Sequence, residues 1–275
     1  MSEMPMGSRD DVLAGGGTGG TTSSPMAFPI PVEELGTVSI VPNGSFEAGS
    51  YQTFVLTYVA GKFGIDDSGS MRVCFRFASD QTRPQFEDPK GPNYTTIEAS
   101  NNAVLTYHYD PKGNVRPWDR TLYIKVVRGF LREGDKITIT FGDRSGGSPG
   151  MRLQTFCEDS YEFHTLIDPI ATFCYQPMPV QPVIKIIPGK PDRYLAVAPT
   201  IRAIDESFSI KFKGEDKWGN PSDQCDIQLY PHASHPVKNL PNMISLKPGE
   251  FFGVIEGLLV ADAADLHIDF LDDAG

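Results

Sequence analysis

The segment Lys136-Ile-Thr-Ile-Thr-Phe141 alternates apolar and polar residues, and so does Tyr161-Glu-Phe-His-Thr-Leu-Ile167. Successive side chains of a strand point to opposite faces, so each segment reads as a strand with one buried side. Between them runs FGDRSGGSPGMRLQTFCEDSYEF, residues 141–163, with Asp143, Arg144, Arg152, Glu158 and Asp159 among its glycines. A hairpin needs only about two to five residues, and much longer connections are functional or disordered. Charges of both signs and the lack of any repeat predict an ordered loop, and the first place to look for a site.

Working outward, residues 52–59, 70–77, 103–109 and 122–127 show the same alternation, and turn sequences such as Asp66-Asp-Ser-Gly69, Asp110-Pro-Lys-Gly113 and Arg132-Glu-Gly-Asp135 separate them. No stretch of a dozen residues carries a helical stripe. The pattern predicts an all-β chain whose first domain, residues 27–187, is an antiparallel β-sandwich with long polar loops. Two further connections are long: residues 79–93 hold three prolines and five charged residues, and residues 114–120 read NVRPWDR. Sandwich loops gather at two ends. Meeting at one end, these three would assemble Arg83, Glu87, Asp88, Arg116, Trp118, Asp119, Asp143, Arg144, Arg152, Glu158 and Asp159 into one polar surface, suited to a ligand or to another domain.

The six prolines of residues 168–191 predict extended, semi-rigid backbone, an interdomain connector. A second strand series follows at 194–197, 207–213, 225–229, 249–256 and 266–270, with the turn Asp216-Lys-Trp-Gly-Asn-Pro221 inside it. Residues 188–275 therefore read as a second, immunoglobulin-like sandwich. A seven-stranded module would be expected to have one more strand, without which a neighbouring strand would expose an unpaired edge. Trp218 in that turn reads as easily as a cap on the core of the second module as it does as a stacking surface for a planar ligand. Residues 1–26, with their GGGTGGTTSS run, read as a flexible leader.

The chain has 275 residues, 27 glycines, 23 prolines and a formal charge of −11. That charge disfavours nucleic acid and anionic lipid as partners. No apolar run approaches the roughly 20 residues that span a bilayer, and the N-terminus has no secretory pattern, so a cytoplasmic location is expected. Cys74, Cys157, Cys174 and Cys225 show no C-x-x-C spacing and read as free, mostly buried thiols.

Catalytic signatures are weak. His232-Ala-Ser-His235 has a spacing that could ligate a metal, but no acidic or cysteine partner lies nearby, and a solvated loop is expected. Ser145, Ser148 and Ser160 lie in no G-x-S-x-G elbow. Arg144-Ser-Gly-Gly-Ser148 lacks the lysine and helix of a P-loop. The adjacent pairs Asp66-Asp67, Glu87-Asp88 and Glu158-Asp159 project to opposite faces of an extended chain, which suits them to ion pairs with Arg83, Arg144 or Arg152 rather than to shared acid–base work. Trp118 and Trp218 could stack on a sugar or another planar ligand.

Several runs occur in order: Tyr58-Val-Ala-Gly-Lys-Phe-Gly-Ile-Asp-Asp-Ser-Gly-Ser70, Phe75-Arg-Phe-Ala-Ser-Asp80, Arg83-Pro-Gln-Phe86 and Gly113-Asn-Val-Arg-Pro-Trp118. Gly142-Asp-Arg-Ser-Gly-Gly-Ser-Pro-Gly-Met-Arg152, Gln154-Thr-Phe-Cys-Glu-Asp159 and the turn at 216–221 follow. Together, across residues 54–275, they resemble the N-terminal region of the bacterial family known as domain of unknown function 3604.

The resemblance implies a larger parent that continues into a metal-dependent phosphoesterase-like region of the polymerase-and-histidinol-phosphatase type. That region opens near a Gly-Asp-Leu-His-type motif whose histidine would ligate a divalent metal. Ala264-Asp-Leu-His267 shares three letters with that motif but lacks the histidines that should follow. The expected role of this chain is then non-catalytic: two sandwiches that support, orient or partly roof a C-terminal catalytic domain of the same protein, with no cofactor of their own. The competing expectation is a stand-alone module that binds a carbohydrate or small anion through its polar loops.

Overall fold

The computed structural model describes residues 30–272. The chain is all-β, with twenty strands and one short 3-10 turn among the described residues. The first fourteen strands open with β1 (Gly36–Val41), β2 (Ser45–Glu47), β3 (Tyr51–Gln52), β4 (Phe54–Ala60), β5 (Ser70–Phe75), β6 (Thr95–Ala99) and β7 (Val104–Asp110). They continue with β8 (Arg120–Arg128), β9 (Lys136–Phe141), β10 (Met151–Arg152), β11 (Glu158–Glu162), β12 (His164–Asp168), β13 (Gln176–Pro177) and β14 (Val183–Ile187). The last six are β15 (Arg193–Val197), β16 (Phe208–Glu215), β17 (Ile227–Ala233), β18 (Ile244–Leu246), β19 (Gly253–Leu258) and β20 (Ile268–Leu271).

Two antiparallel sheets, ordered β1-β4-β9-β6 and β13-β12-β5-β8-β7, enclose the larger core. The alternation that defines β4 is also its burial pattern: Phe54, Leu56, Tyr58 and Ala60 are buried while Val55, Thr57 and Val59 are only partly so. Ile137, Ile139 and Phe141 of β9 join them in a single cluster with Met71, Val73 and Phe75 of β5 and Leu122, Ile124 and Val126 of β8. Each such side chain contributes roughly 1.5–3 kcal/mol by leaving water. A second cluster, including Ile210, Phe212, Leu229, Ile255 and Leu258, forms between the sheets β15-β16-β19 and β18-β17-β20.

Four expectations need correction. Residues 161–167 are not one strand: the chain breaks at Phe163, with β11 paired to β14 and β12 paired to β5. The alternation runs through the break because Tyr161, Phe163, Thr165 and Ile167 are all buried, so periodicity does not register the change of sheet. Nor are residues 141–163 one loop, since β10 pairs with β3 and β11 opens before the segment ends. The proline-rich stretch is no connector over most of its length: β13 extends the five-stranded sheet and β14 lies antiparallel to β11 and parallel to β2. Pro177 sits at the outer edge of its sheet, where a missing N–H costs no ladder bond. Finally, His232 lies in β17, opposite Asp269 of β20, rather than in a loop.

Phe163 is the hub of the first sandwich. Its ring lies 5.6 Å from Phe54, 5.6 Å from Phe75, 5.7 Å from Phe141 and 5.5 Å from Tyr161, mostly edge-on or tilted. Those residues stand at the start of β4, the end of β5, the end of β9 and within β11. The backbone at the hub is tied as well, the Phe163 N–H donating to the Pro182 carbonyl at 2.9 Å. Phe163→Ala is expected to cost about 3–5 kcal/mol in urea unfolding. Phe173→Ala, at a side chain 82% exposed, should stay within about 0.5 kcal/mol of the parent.

Candidate functional site

Strand register sets the long loops side by side. Phe75 of β5 faces Arg120 of β8, Asp110 of β7 faces Thr121, and His164 of β12 faces Cys74. On the other sheet Phe54 and Thr95 both face Phe141. The connections after β5, β7 and β9 and those before β4, β6, β8 and β12 therefore leave from one end of the sandwich. The polar residues there fall into three groups rather than one continuous surface.

The first group centres on Trp118. Its indole stacks on the His164 ring at 4.7 Å and 14°, and the Arg76 guanidinium lies 5.3 Å from it. His164 Nδ1 is 2.6 Å from Glu162, and Arg76 pairs with Glu158 at 3.0 Å. Glu158 also accepts from the Gln154 amide at 2.9 Å. Arg116 lies 4.9 Å from the Phe77 ring and 3.6 Å from Asp119. The Arg120 guanidinium donates to the Ser79 carbonyl, which ties the β8 end to the connection after β5.

The second group anchors the tip of the glycine-rich segment. Asp143 accepts from the Ser145 N–H and the Thr96 hydroxyl, both at 2.9 Å, and its N–H donates to the Tyr94 carbonyl. The Ser145 N–H chiefly, with the Thr96 hydroxyl, holds the Asp143 carboxyl below the usual carboxylate range against the effect of burial. Arg144 donates to the Tyr51 carbonyl at 2.9 Å. Gly142 turns the chain here at φ 63°, where a Cβ would stand 2.2 Å from the Met151 nitrogen. Glu87 and Asp88 are exposed, and their backbone N–H groups donate to the Gln85 side chain. Arg83 is exposed, within electrostatic range of Tyr109.

The third group leads to the second sandwich. Arg152 pairs with Asp80, and Asp80 accepts from the Thr155 N–H at 2.8 Å and hydroxyl at 2.9 Å. Burial raises the Asp80 carboxyl, but these donors and Arg152 leave it below its ordinary value. The same guanidinium is 5.9 Å from the Trp218 ring, within reach of a cation–π contact. Asp159 turns away and pairs with Lys185 on an exposed edge. Thus Glu158 and Asp159 do form ion pairs, but with Arg76 and Lys185 instead of Arg83, Arg144 or Arg152.

Trp218 does not cap its own module. Its indole N–H donates to the Ala48 carbonyl at 3.0 Å, across the junction with the first sandwich. Gly49 at φ 68° makes room, since a Cβ there would lie 2.5 Å from the indole. Beneath it Asp216, only 2% exposed, organises the whole turn. One carboxylate oxygen accepts from the Trp218 and Asn220 N–H groups, each at 2.9 Å. The other accepts from the Asn220 amide at 2.9 Å and the Gly189 N–H at 3.1 Å. Asn220 then bridges the modules, donating to the Thr155 carbonyl at 2.9 Å and accepting from the Cys157 N–H at 3.2 Å. The junction escapes a periodicity reading, although an aspartate ahead of Gly219 and Asn220 is a recognisable turn signature.

Among the described residues, no group of three or more His, Cys, Asp or Glu side chains is placed to hold a metal ion. His267 of the Ala264-Asp-Leu-His267 run is exposed just ahead of β20, its N–H donating to the Ser234 hydroxyl and its carbonyl accepting from the Ser234 N–H. All four cysteines are free, with Cys74 and Cys225 buried and Cys157 and Cys174 exposed. The expectation of mostly buried thiols therefore holds for two of the four. Burial first, then the charges of Asp216, Asp159 and Asp223, push the Cys157 thiol up to about 11, so it is a poor nucleophile near neutrality. No helix among the described residues is long and apolar enough to cross a membrane. Neither a protein-family model nor a curated protein matches the chain.

Burial raises the Asp216 carboxyl, but the Asn220, Gly189 and Trp218 donors outweigh it and leave the group below its ordinary value. A depressed native value means that Asp216 stabilises the fold fully above its unfolded value of about 3.9, and that this contribution fades as pH falls through the native value. Acid titration followed by Trp218 fluorescence should therefore show the junction loosening below about pH 4. Asp216→Ala should remove that step and cost about 3 kcal/mol, since several hydrogen bonds to a charged acceptor are lost together.

Proposed function

We propose that this chain is a non-catalytic platform: two clamped β-sandwiches that orient a metal-dependent, phosphoesterase-like catalytic region of the same protein. The observation that carries this reading is the junction. A buried carboxylate, Asp216, spends both oxygens on the turn that docks Trp218 and Asn220 against the first sandwich. A module that only bound a ligand would gain nothing from a fixed angle between its halves, whereas a platform depends on it. The loop end supports the same reading, because Asp143, Arg144, Arg152 and Arg120 are engaged with main-chain groups or with one another's loops. Four unpaired cysteines fit a reducing, cytoplasmic setting.

A second reading has one specific observation in its favour. Trp118, His164 and Arg76 bring two aromatic rings and one guanidinium group together at the loop end. Stacked rings beside a guanidinium suit a sugar or a small anion.

The chain alone, assayed with manganese or zinc against bis(4-nitrophenyl) phosphate, is expected to hydrolyse no faster than the metal in buffer. Hydrolysis that disappears in Asp143→Ala or Arg144→Ala while the fold persists would sink the platform reading. Calorimetric titration with inorganic phosphate and with a panel of oligosaccharides separates the second reading: heat that vanishes in Trp118→Ala would establish it in place of the first. Reading the coding DNA past the codon for Gly275 tests the partner directly, since a histidine-rich phosphoesterase-like region is expected there.

A further inference from the structure

The outer face of the five-stranded sheet carries two neighbouring cations that no carboxylate among the described residues pairs with. Met71, Val73 and Phe75 of β5 point into the core, so the alternate residues Ser70 and Arg72 stand on the opposite face. Register places Tyr123 of β8 opposite Arg72, and Lys125 opposite Ser70. The Arg72 guanidinium lies 3.7 Å from the Tyr175 ring and 5.7 Å from that of Tyr123. The Ser70 and Tyr175 hydroxyls are 2.6 Å apart. Two residues further along β5, Cys74 stands opposite His164, so this face adjoins the Trp118 group without sharing a residue with it.

Arg72 uses little of its bonding capacity. A guanidinium has five N–H donors, and the one hydrogen bond this side chain makes among the described residues is long, from Nη1 to the Asn114 side-chain oxygen at 3.4 Å. Its Nε is buried with no partner. Neither Arg72 nor Lys125 enters an ion pair among the described residues, although the chain has a formal charge of −11. The nearest carboxylate on this face by register is Asp168, opposite Ser70. One of its oxygens is taken by Thr172 and the other by the Phe173 N–H. Burial raises the Tyr123 phenol, but hydrogen bonds from Tyr175 and Ser70 and the charges of Lys125 and Arg72 leave it below its ordinary value. The two cations thus act on one point. A charge drawn partly out of water is costly unless an opposite charge meets it.

We propose that this sheet face binds a doubly charged oxyanion, a phosphate group, between Arg72 and Lys125. A guanidinium presents paired N–H groups in its plane, suited to two oxygens of one group, and here one flat side is covered by Tyr175. Lys125 supplies the second positive charge, which favours a phosphate dianion over a single carboxylate. The Tyr123 and Tyr175 hydroxyls can donate to the remaining oxygens. The inference does not need the platform reading, and it rests on residues that the sugar-or-anion reading at Trp118 does not use.

The probes are inorganic phosphate and phenyl phosphate, titrated calorimetrically into the full chain at low ionic strength, with acetate as the singly charged comparison. Both phosphates should bind, and acetate at least about tenfold more weakly. Tighter binding of phenyl phosphate identifies a phosphorylated organic molecule as the ligand, and equal binding identifies free phosphate. Arg72→Lys, which keeps the charge and loses the planar fork, should weaken phosphate about tenfold. Lys125→Gln, at a partly exposed position, should do the same and keeps the test decisive if Arg72→Lys disturbs the sheet. Trp118→Ala should bind phosphate as the parent does. The inference is overturned by the absence of heat from both phosphates, by unchanged affinity in either charge variant, or by acetate bound as tightly as phosphate. Heat that persists in Arg72→Lys but vanishes in Trp118→Ala overturns it as well, since the anion would then belong to the Trp118 group.

Discussion

The packing of Phe163 is the constraint on which the loop end depends. Four other aromatic side chains, Phe54, Phe75, Phe141 and Tyr161, meet its ring. Ring pairs in these offset geometries are worth roughly 0.5–1.5 kcal/mol each beyond the area they bury. Because each partner stands at or near a strand end, the cluster fixes where the loops depart before any polar contact is made. The chain crosses from one sheet to another at this residue, and the ring compensates for the interrupted ladder. The ion pairs of Arg76, Arg116 and Arg152 are built on that aromatic floor. Pairs as exposed as these contribute little to stability by themselves. Their effect is to choose one loop conformation among several that the floor permits.

The junction between the sandwiches follows a different logic. Burying a carboxylate is costly unless its lone pairs are taken up. At Asp216 they are, by donors from its own turn and from Gly189, so the turn is held before it touches the first sandwich. Trp218 and Asn220 project from that preformed turn onto Ala48, Thr155 and Cys157. The contact thus adds little ordering cost at the moment of docking. A junction made this way behaves as part of the fold, which is why it speaks for a platform.

Much of the fold was legible in the sequence because its strands are amphipathic. β4 and β9 bury alternate residues, and β9 has the bounds that its alternation predicts. β6 was not legible, since Thr95 and Ile97 are buried beside polar neighbours and no apolar stripe announces the strand. β14 was obscured by the prolines around it, which suggest a linker although the strand between them bonds on both sides. The β11–β12 break was invisible because burial keeps its phase through Phe163. For the candidate site, Arg116, Trp118, Asp119 and Glu158 lie at the loop end, and their partners Arg76 and His164 were read as strand residues. Pairing of side chains from different strands depends on register, and register is a property of the assembled sheet.

The position of β14 carries a consequence for biosynthesis. Lys185 stands opposite Ser45 in a parallel pairing, while Glu162 stands opposite Val183 on the other side. A chain growing from its N-terminus therefore holds Ser45–Glu47 without its partner until nearly the entire first sandwich has been made. Contacts so distant in sequence form slowly, and the unpaired edges remain open to wrong neighbours in the meantime. The proline-rich stretch acts as the closing stitch of the first sandwich, and a nascent chain stalled before Val183 would be a natural client for a chaperone that shields strand edges.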